Sequence, residues 1–129
     1  MIVAINFVTY FGLAILLTLF FTYLYEWVTP YNGFELMKQH NMSAVVSFAG
    51  ALLGFVIPLA SIITNSQSIG DVTTWGVVAM VIQLMVYVLA RILIPELKRN
   101  VTENNIAGSF YLAIISLIIG ILNAACMTY

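Results

Sequence analysis

The sequence predicts an all-α membrane protein, with four transmembrane helices built as two parallel-oriented two-helix repeats in a single domain spanning residues 1–129. Three observations predict it. Of its residues, 63% are hydrophobic and 7% charged, and the mean hydropathy is +1.07; a soluble domain of this size cannot hide so much apolar surface in one core. Four apolar runs, roughly residues 3–28, 43–64, 73–94 and 106–128, each reach the length that a bilayer demands of a helix. A shift of 64 or 65 positions superposes Pro30 on Pro95, Asn41 on Asn105, Ala60 on Ala124 and Thr64 on Thr128, which gives repeat halves of roughly 1–65 and 66–129. Each half crosses the membrane an even number of times, so the halves share one orientation and their pseudo-twofold axis lies along the membrane normal.

The first span is apolar all round as far as Tyr23, Tyr25 and Trp27, which form an aromatic belt at an interface. No basic residue precedes it, it is too long for the hydrophobic region of a signal peptide, and it lacks a small-residue cleavage site, so it is expected to be retained. Thr29-Pro30 ends it. Asn32, followed three residues later by Glu35, predicts a short capped interfacial helix through about Gln39.

The second span organises the rest. Its small residues Gly50 and Gly54 form a small-xxx-small face that lets another backbone approach. Pro58 leaves the carbonyl of Gly54 without its helical donor and favours a kink. The polar stretch from Thr64 to Asp71 reads as a turn-rich loop. The third span carries Gly76, Met80, Gln83, Tyr87 and Arg91 along one stripe, with Gln83 near mid-membrane. Pro95 ends that span, and Glu96-Leu97-Lys98-Arg99 reads as a basic turn. Asn41 and Asn105 suit the N-cap positions of the second and fourth spans. The fourth span repeats the small-residue spacing in Ser116, Gly120 and Ala124.

A net charge of −1 argues against nucleic acid as a partner and against a polybasic lipid-binding tail. Lys38, Arg91, Lys98 and Arg99 all lie in or beside the loops that follow the first and third spans, whereas the opposite side carries Asp71. The positive-inside rule therefore predicts both basic loops in the cytoplasm and both termini outside it.

Several residues are candidates for a site. Gly50, Gly54, Pro58, Ser116, Gly120 and Ala124 are the expected helix-packing face. Gln83, Tyr87, Ser61 and Asn123 are candidate intramembrane polar or passage residues. Asn123 is expected to donate to the freed carbonyl of Gly54, and Gln83, with no partner evident in the sequence, to meet one across a subunit boundary or to line a passage. Glu26 and Arg91, equivalent in the repeat, form a candidate cytoplasmic-side ion pair, either a gate or a tie between the first and third spans. His40 is expected in a solvated or capping role. Cys126 is expected as a buried small hydrophobe, with an intermolecular disulfide as the alternative. Asn41-Met42-Ser43 and Asn100-Val101-Thr102 are glycosylation-type triplets on the expected cytoplasmic side and carry no weight there. No metal-ligand set, cofactor motif or nucleophile with a base is present in the sequence, so an enzyme ranks third among the readings.

The segments Leu52-Leu53-Gly54-Phe55-Val56-Ile57-Pro58-Leu59, Thr29-Pro30, Trp75-Gly76 with Val81-Ile82-Gln83-Leu84, and Asn123-Ala124-Ala125-Cys126-Met127-Thr128 resemble the YjfL-type bacterial inner-membrane proteins, catalogued as domain of unknown function 350. The similarity runs along essentially the whole chain. It implies a small four-helix inner-membrane protein, in a family often encoded near membrane-coating proteins of the phage-shock type, and it carries over no catalytic residues. The leading expectation is a non-enzymatic, self-associating protein that supports envelope integrity or the membrane-stress response with cytoplasmic partners, a membrane-coating protein among them. The alternative is a small ion or solute channel whose passage is lined by Gln83 and the Gly54, Pro58 and Asn123 cluster.

Overall fold

Hydrocarbon offers no partner to a backbone amide, so an apolar chain of this kind closes its main-chain hydrogen bonds within helices. The computed structural model describes residues 2–29, 32–65 and 68–127. They form α1 (Ile2–Val28), α2 (Gly33–Lys38), α3 (Met42–Asn65), α4 (Ile69–Leu93), α5 (Leu97–Thr102) and α6 (Ile106–Cys126). The four long helices are each apolar and long enough to cross a membrane. Pro30, Ser66, Gln67 and Thr128 lie outside the described residues, and with them the helix stop expected at Pro30, part of the loop expected before Asp71 and the expected end of the fourth span.

Two boundaries differ from expectation, each for a local reason. The third span starts at Ile69 rather than near Thr73, because Ser68 caps it: the Ser68 hydroxyl accepts from the Asp71 amide at 3.1 Å. The stretch read as a basic turn contains the short helix α5 instead. Arg99 bridges to Glu96 at 3.7 Å and to Glu103 at 3.5 Å along its exposed side, the spacing at which helix neighbours meet.

α2 and α5 end in the same way. After α2, His40 takes a left-handed φ of 62°; its amide donates to the Met37 carbonyl at 3.0 Å and the next amide, Asn41, to Leu36 at 2.9 Å. After α5, Asn104 has φ 59°, its amide donates to Val101 at 3.2 Å and the Asn105 amide to Asn100 at 2.7 Å. Both are Schellman terminations without glycine. Each hands the chain to an asparagine that caps the next long helix, as expected: the side-chain oxygen of Asn41 accepts from Ala44 at 3.1 Å and that of Asn105 from Ala107 at 3.2 Å. The expected cap on α2 is also in place, with the Asn32 side chain accepting from the Glu35 amide at 3.1 Å.

α3 is the hub, and its principal neighbour is α6. Their small-residue faces meet within one chain, backbone on backbone. A Cβ at Gly50 would strike Ala113, one at Gly54 would lie 2.5 Å from the Ser116 carbonyl oxygen, and one at Gly120 would strike the Gly54 backbone. α4 covers α3 and α6 with buried Gly76, Ala79, Met80, Gln83, Val86, Tyr87 and Ala90. α1 buries only a narrow stripe fully, Leu17, Phe21 and Tyr25, one residue per turn, with Leu13, Ala14 and Leu24 half-buried beside it. Phe21 stacks on Phe55 with centroids 4.7 Å apart, and Tyr25 sets its ring edge-on to Tyr87 at 5.7 Å. The remainder of α1 presents Phe7, Phe11, Ile15, Leu16, Leu19 and Phe20 outward.

Asn104 joins the two short-helix turns, because its side-chain oxygen also accepts from the Ser43 amide at the start of α3, at 2.9 Å. Asn104→Gly keeps the left-handed turn but removes that bond, costing about 1 kcal/mol. Asn104→Ala removes the bond and adds about 1–2 kcal/mol of left-handed strain. Thermal unfolding in detergent is expected to rank wild type above Asn104→Gly above Asn104→Ala; equal stability of the glycine and alanine variants would contradict the turn.

Candidate functional site

The polar side chains buried in this apolar chain gather at a few levels along the bundle, where main-chain carbonyls meet many of them. The proline in α3 has no N–H to give, so the Gly54 carbonyl one turn earlier needs another donor. Gln83, on α4 and only 1% exposed, supplies it. Its Nε2 donates to the Gly54 carbonyl at 3.0 Å and to the Ser116 carbonyl of α6 at 3.1 Å. One amide thereby ties three helices together. Among the described residues its Oε1 is buried without a hydrogen-bond partner.

The structure corrects two sequence-based expectations here. Gln83 meets its partners within its own chain rather than across a subunit boundary. The freed Gly54 carbonyl takes Gln83 rather than Asn123, because α4 inserts its amide where the close crossing of α3 and α6 brings both carbonyls together. Asn123 is half-buried and its Nδ2 is left without a partner among the described residues. Ser61, near it on α3, instead donates to the Ala124 carbonyl at 3.1 Å. Tyr87 is buried, with its ring against Tyr25.

At the end of the bundle that carries the basic loops, a second cluster forms that sequence reasoning missed. Asn41 Nδ2 donates to the Val101 carbonyl of α5 at 2.8 Å. The buried Ser43 hydroxyl donates to the Asn105 carbonyl at 3.1 Å and shares a bond with the Ser109 hydroxyl. One helical turn further in, Ser47 and the Tyr25 hydroxyl bond at 3.0 Å and fix α1 to α3. The signal in the sequence is the asparagine and serine near the openings of the second and fourth spans, which by themselves indicate local capping alone.

Glu26 and Arg91 do not form the expected pair. Among the described residues the ion pairs are those of Arg99 with Glu96 and Glu103. Glu26 turns to the start of α2 and accepts from the Gly33 amide at 3.2 Å, so close that a Cβ at Gly33 would collide with its carboxylate. Arg91 closes the predicted stripe as its exposed member, while Gly76, Met80, Gln83 and Tyr87 are buried.

The family described as Domain of Unknown Function (DUF350) matches residues 1–127. The chain belongs to the DUF350 family. It is 39% identical over 123 residues to the UPF0719 inner membrane protein YjfL of Escherichia coli K12, covering 95% of this chain and 93% of that one. It is 27% identical over 109 residues to the UPF0719 transmembrane protein YshE of Bacillus subtilis strain 168, covering 83% and 81%. No solved structure matches significantly. In this DUF350 chain the described residues hold no cluster of three or more His, Cys, Asp or Glu side chains able to take a metal ion. His40 is exposed in its turn and Cys126 is exposed at the end of α6, so the cysteine is not the buried hydrophobe expected of it.

Proposed function

We propose that the protein is a non-enzymatic, multi-pass inner-membrane component that self-associates and acts in envelope integrity or the membrane-stress response with cytoplasmic partners, including a membrane-coating protein. The observation that favours a structural role over a passage is the Gln83 clamp: an amide midway along α4 is committed to two main-chain carbonyls, as structural glue. The small-residue faces of α3 and α6 are likewise used within the chain. Self-association therefore falls to the outward face of α1, and contact with soluble partners to the end bearing α2 and α5. The two-repeat build belongs to this reading. It is supported by the paired Schellman turns at His40 and Asn104 and by the long, short, long order of helices on either side of residue 66.

A second reading, a small channel or transporter, is favoured by one observation: Gln83 Oε1 and Asn123 Nδ2 are both buried without partners among the described residues. An unmet polar group in hydrocarbon costs on the order of a few kcal/mol, and water in a passage would relieve that cost. Gln83→Leu separates the two. As glue, its loss lowers stability in detergent by roughly 0.6–2 kcal/mol per interhelical bond and leaves the ion permeability of reconstituted vesicles unchanged. Measurable wild-type flux that Gln83→Leu abolishes in a still-folded protein would make the channel primary.

The orientation proposed has both termini outside the cytoplasm, from the one-sided placement of Lys38, Arg91, Lys98 and Arg99. Single cysteines at Ser68 and Lys98 in a Cys126→Ser background report it. An impermeant thiol reagent applied to intact cells is expected to label position 68 and spare position 98; the reverse pattern would invert the protein.

A further inference from the structure

α3 and α6 meet as a parallel pair in register. Bonds across their crossing join Ser43 to Asn105 and to Ser109, and Ser61 to Ala124, at sequence separations of 62, 66 and 63. The Gly54 backbone lies against Gly120 between them. These separations straddle the 64- and 65-residue shift of the sequence repeat. Under the two-repeat, self-associating build proposed above, on which this inference rests, the pseudo-twofold axis runs between the two helices and exchanges α3 with α6 and α4 with α1.

The two sides of the pair are filled unequally. α4 packs on one side, where Gln83 bonds the Gly54 and Ser116 carbonyls, and there Ala51 and Ile62 of α3 and Leu112 of α6 are buried. On the other side of the crossing line, Leu53 of α3 is 51% exposed and Phe110 and Ile121 of α6 are 55% and 52% exposed, with Val46, Ile57 and Leu117 half-buried beside them. The axis carries the position of α4 onto this open side, as the place of α1. Yet α1 packs on α3 and α4 instead. It is held mainly by Leu17, Phe21 and Tyr25, and the surface opposite those three, with Val8, Leu16 and Leu19, is exposed.

We propose that the open side of the α3–α6 pair seats α1 of a second copy of this chain. The occupant follows from the repeat rather than from apolarity alone: the pair already receives α4 on its equivalent side, and α1 is the counterpart of α4. Each copy offers one α1 and one open side, so the exchange is reciprocal and two copies close into a dimer about a twofold axis. Both copies cross the bilayer in one orientation, which keeps the incoming α1 antiparallel to α3 and α6, as α4 is.

Cysteine cross-linking between chains tests the seat. A Cβ at Gly76 would touch both Leu17 and Leu59, which sets those two level, and the bond of Ser61 sets it level with Ala124; at ~1.5 Å per residue, Leu19 then stands at roughly the depth of Ile121. In a Cys126→Ser background, Leu19→Cys and Ile121→Cys are carried on separate, differently tagged chains, reconstituted together in vesicles and oxidised. A disulfide joining the two kinds of chain is expected. Leu53→Trp, which fills the seat from an exposed position, is expected to weaken the dimer about ten-fold, the equivalent of ~1.4 kcal/mol. Disulfides joining position 19 to position 19 without the mixed product, or a dimer that Leu53→Trp leaves intact, overturn the seat while self-association stands; a monomer by sedimentation in mild detergent overturns both. Unchanged helical circular dichroism confirms that each variant is folded.

Discussion

A proline inside a transmembrane helix leaves one carbonyl without a donor in a solvent that supplies none, and this fold depends on how that carbonyl is met. Gln83 meets it, and the reach of one side-chain amide then dictates much else. For Nε2 to lie 3.0 Å from the Gly54 oxygen and 3.1 Å from the Ser116 oxygen, those two carbonyls must be close. They are close only because Gly54 and Gly120 place no Cβ between the α3 and α6 backbones. Apolar burial does not drive helix against helix in a bilayer, so close packing and interhelical hydrogen bonds hold the bundle. At this crossing both arise from the same few residues.

The same logic runs along the rest of α3. Its inward stripe of Ser43, Ser47, Gly50, Gly54, Pro58 and Ser61 finds a different partner at each level: the α6 opening for Ser43, Tyr25 for Ser47, Ala113 for Gly50 and the Ala124 carbonyl for Ser61. α1 takes part mainly through Leu17, Phe21 and Tyr25 and is the least buried of the four long helices. It is also the helix with the most apolar surface left over for lipid or for another protein.

The spans, the caps at Asn32, Asn41 and Asn105 and the small-residue faces were legible in the sequence because each is written in neighbouring residues. Helix length, cap spacing and a four-residue stripe need no knowledge of the third dimension. The Gln83 bond was not legible. Proline announces that Gly54 needs a donor, but the choice between Asn123 and Gln83 depends on the relative height and rotation of three helices. Glu26 and Arg91 failed as a pair for a related reason: equal sequence distance from two prolines fixes neither which way a side chain turns nor that the Gly33 amide lies nearer. α5 was hidden by its charges, since Lys98 and Arg99 suit a solvated turn and the exposed side of a short helix equally well. The cluster of Asn41, Ser43, Asn104 and Ser109 joins positions some sixty residues apart, and only its local capping half can be read from the chain.

The central claim is that the Gln83 amide closes the gap left by Pro58 inside one chain. Solid-state NMR on protein in lipid, with glutamine side-chain ¹⁵N and glycine carbonyl ¹³C labels, measures this directly. The 3.0 Å bond and a C=O length of about 1.23 Å place the two nuclei roughly 4 Å apart, which predicts a Gln83–Gly54 cross-peak that is lost in Gln83→Leu and absent when the two labels are carried on separate chains in a mixed sample. A cross-peak that appears only in the mixed sample, or none in the doubly labelled chain, would contradict the clamp.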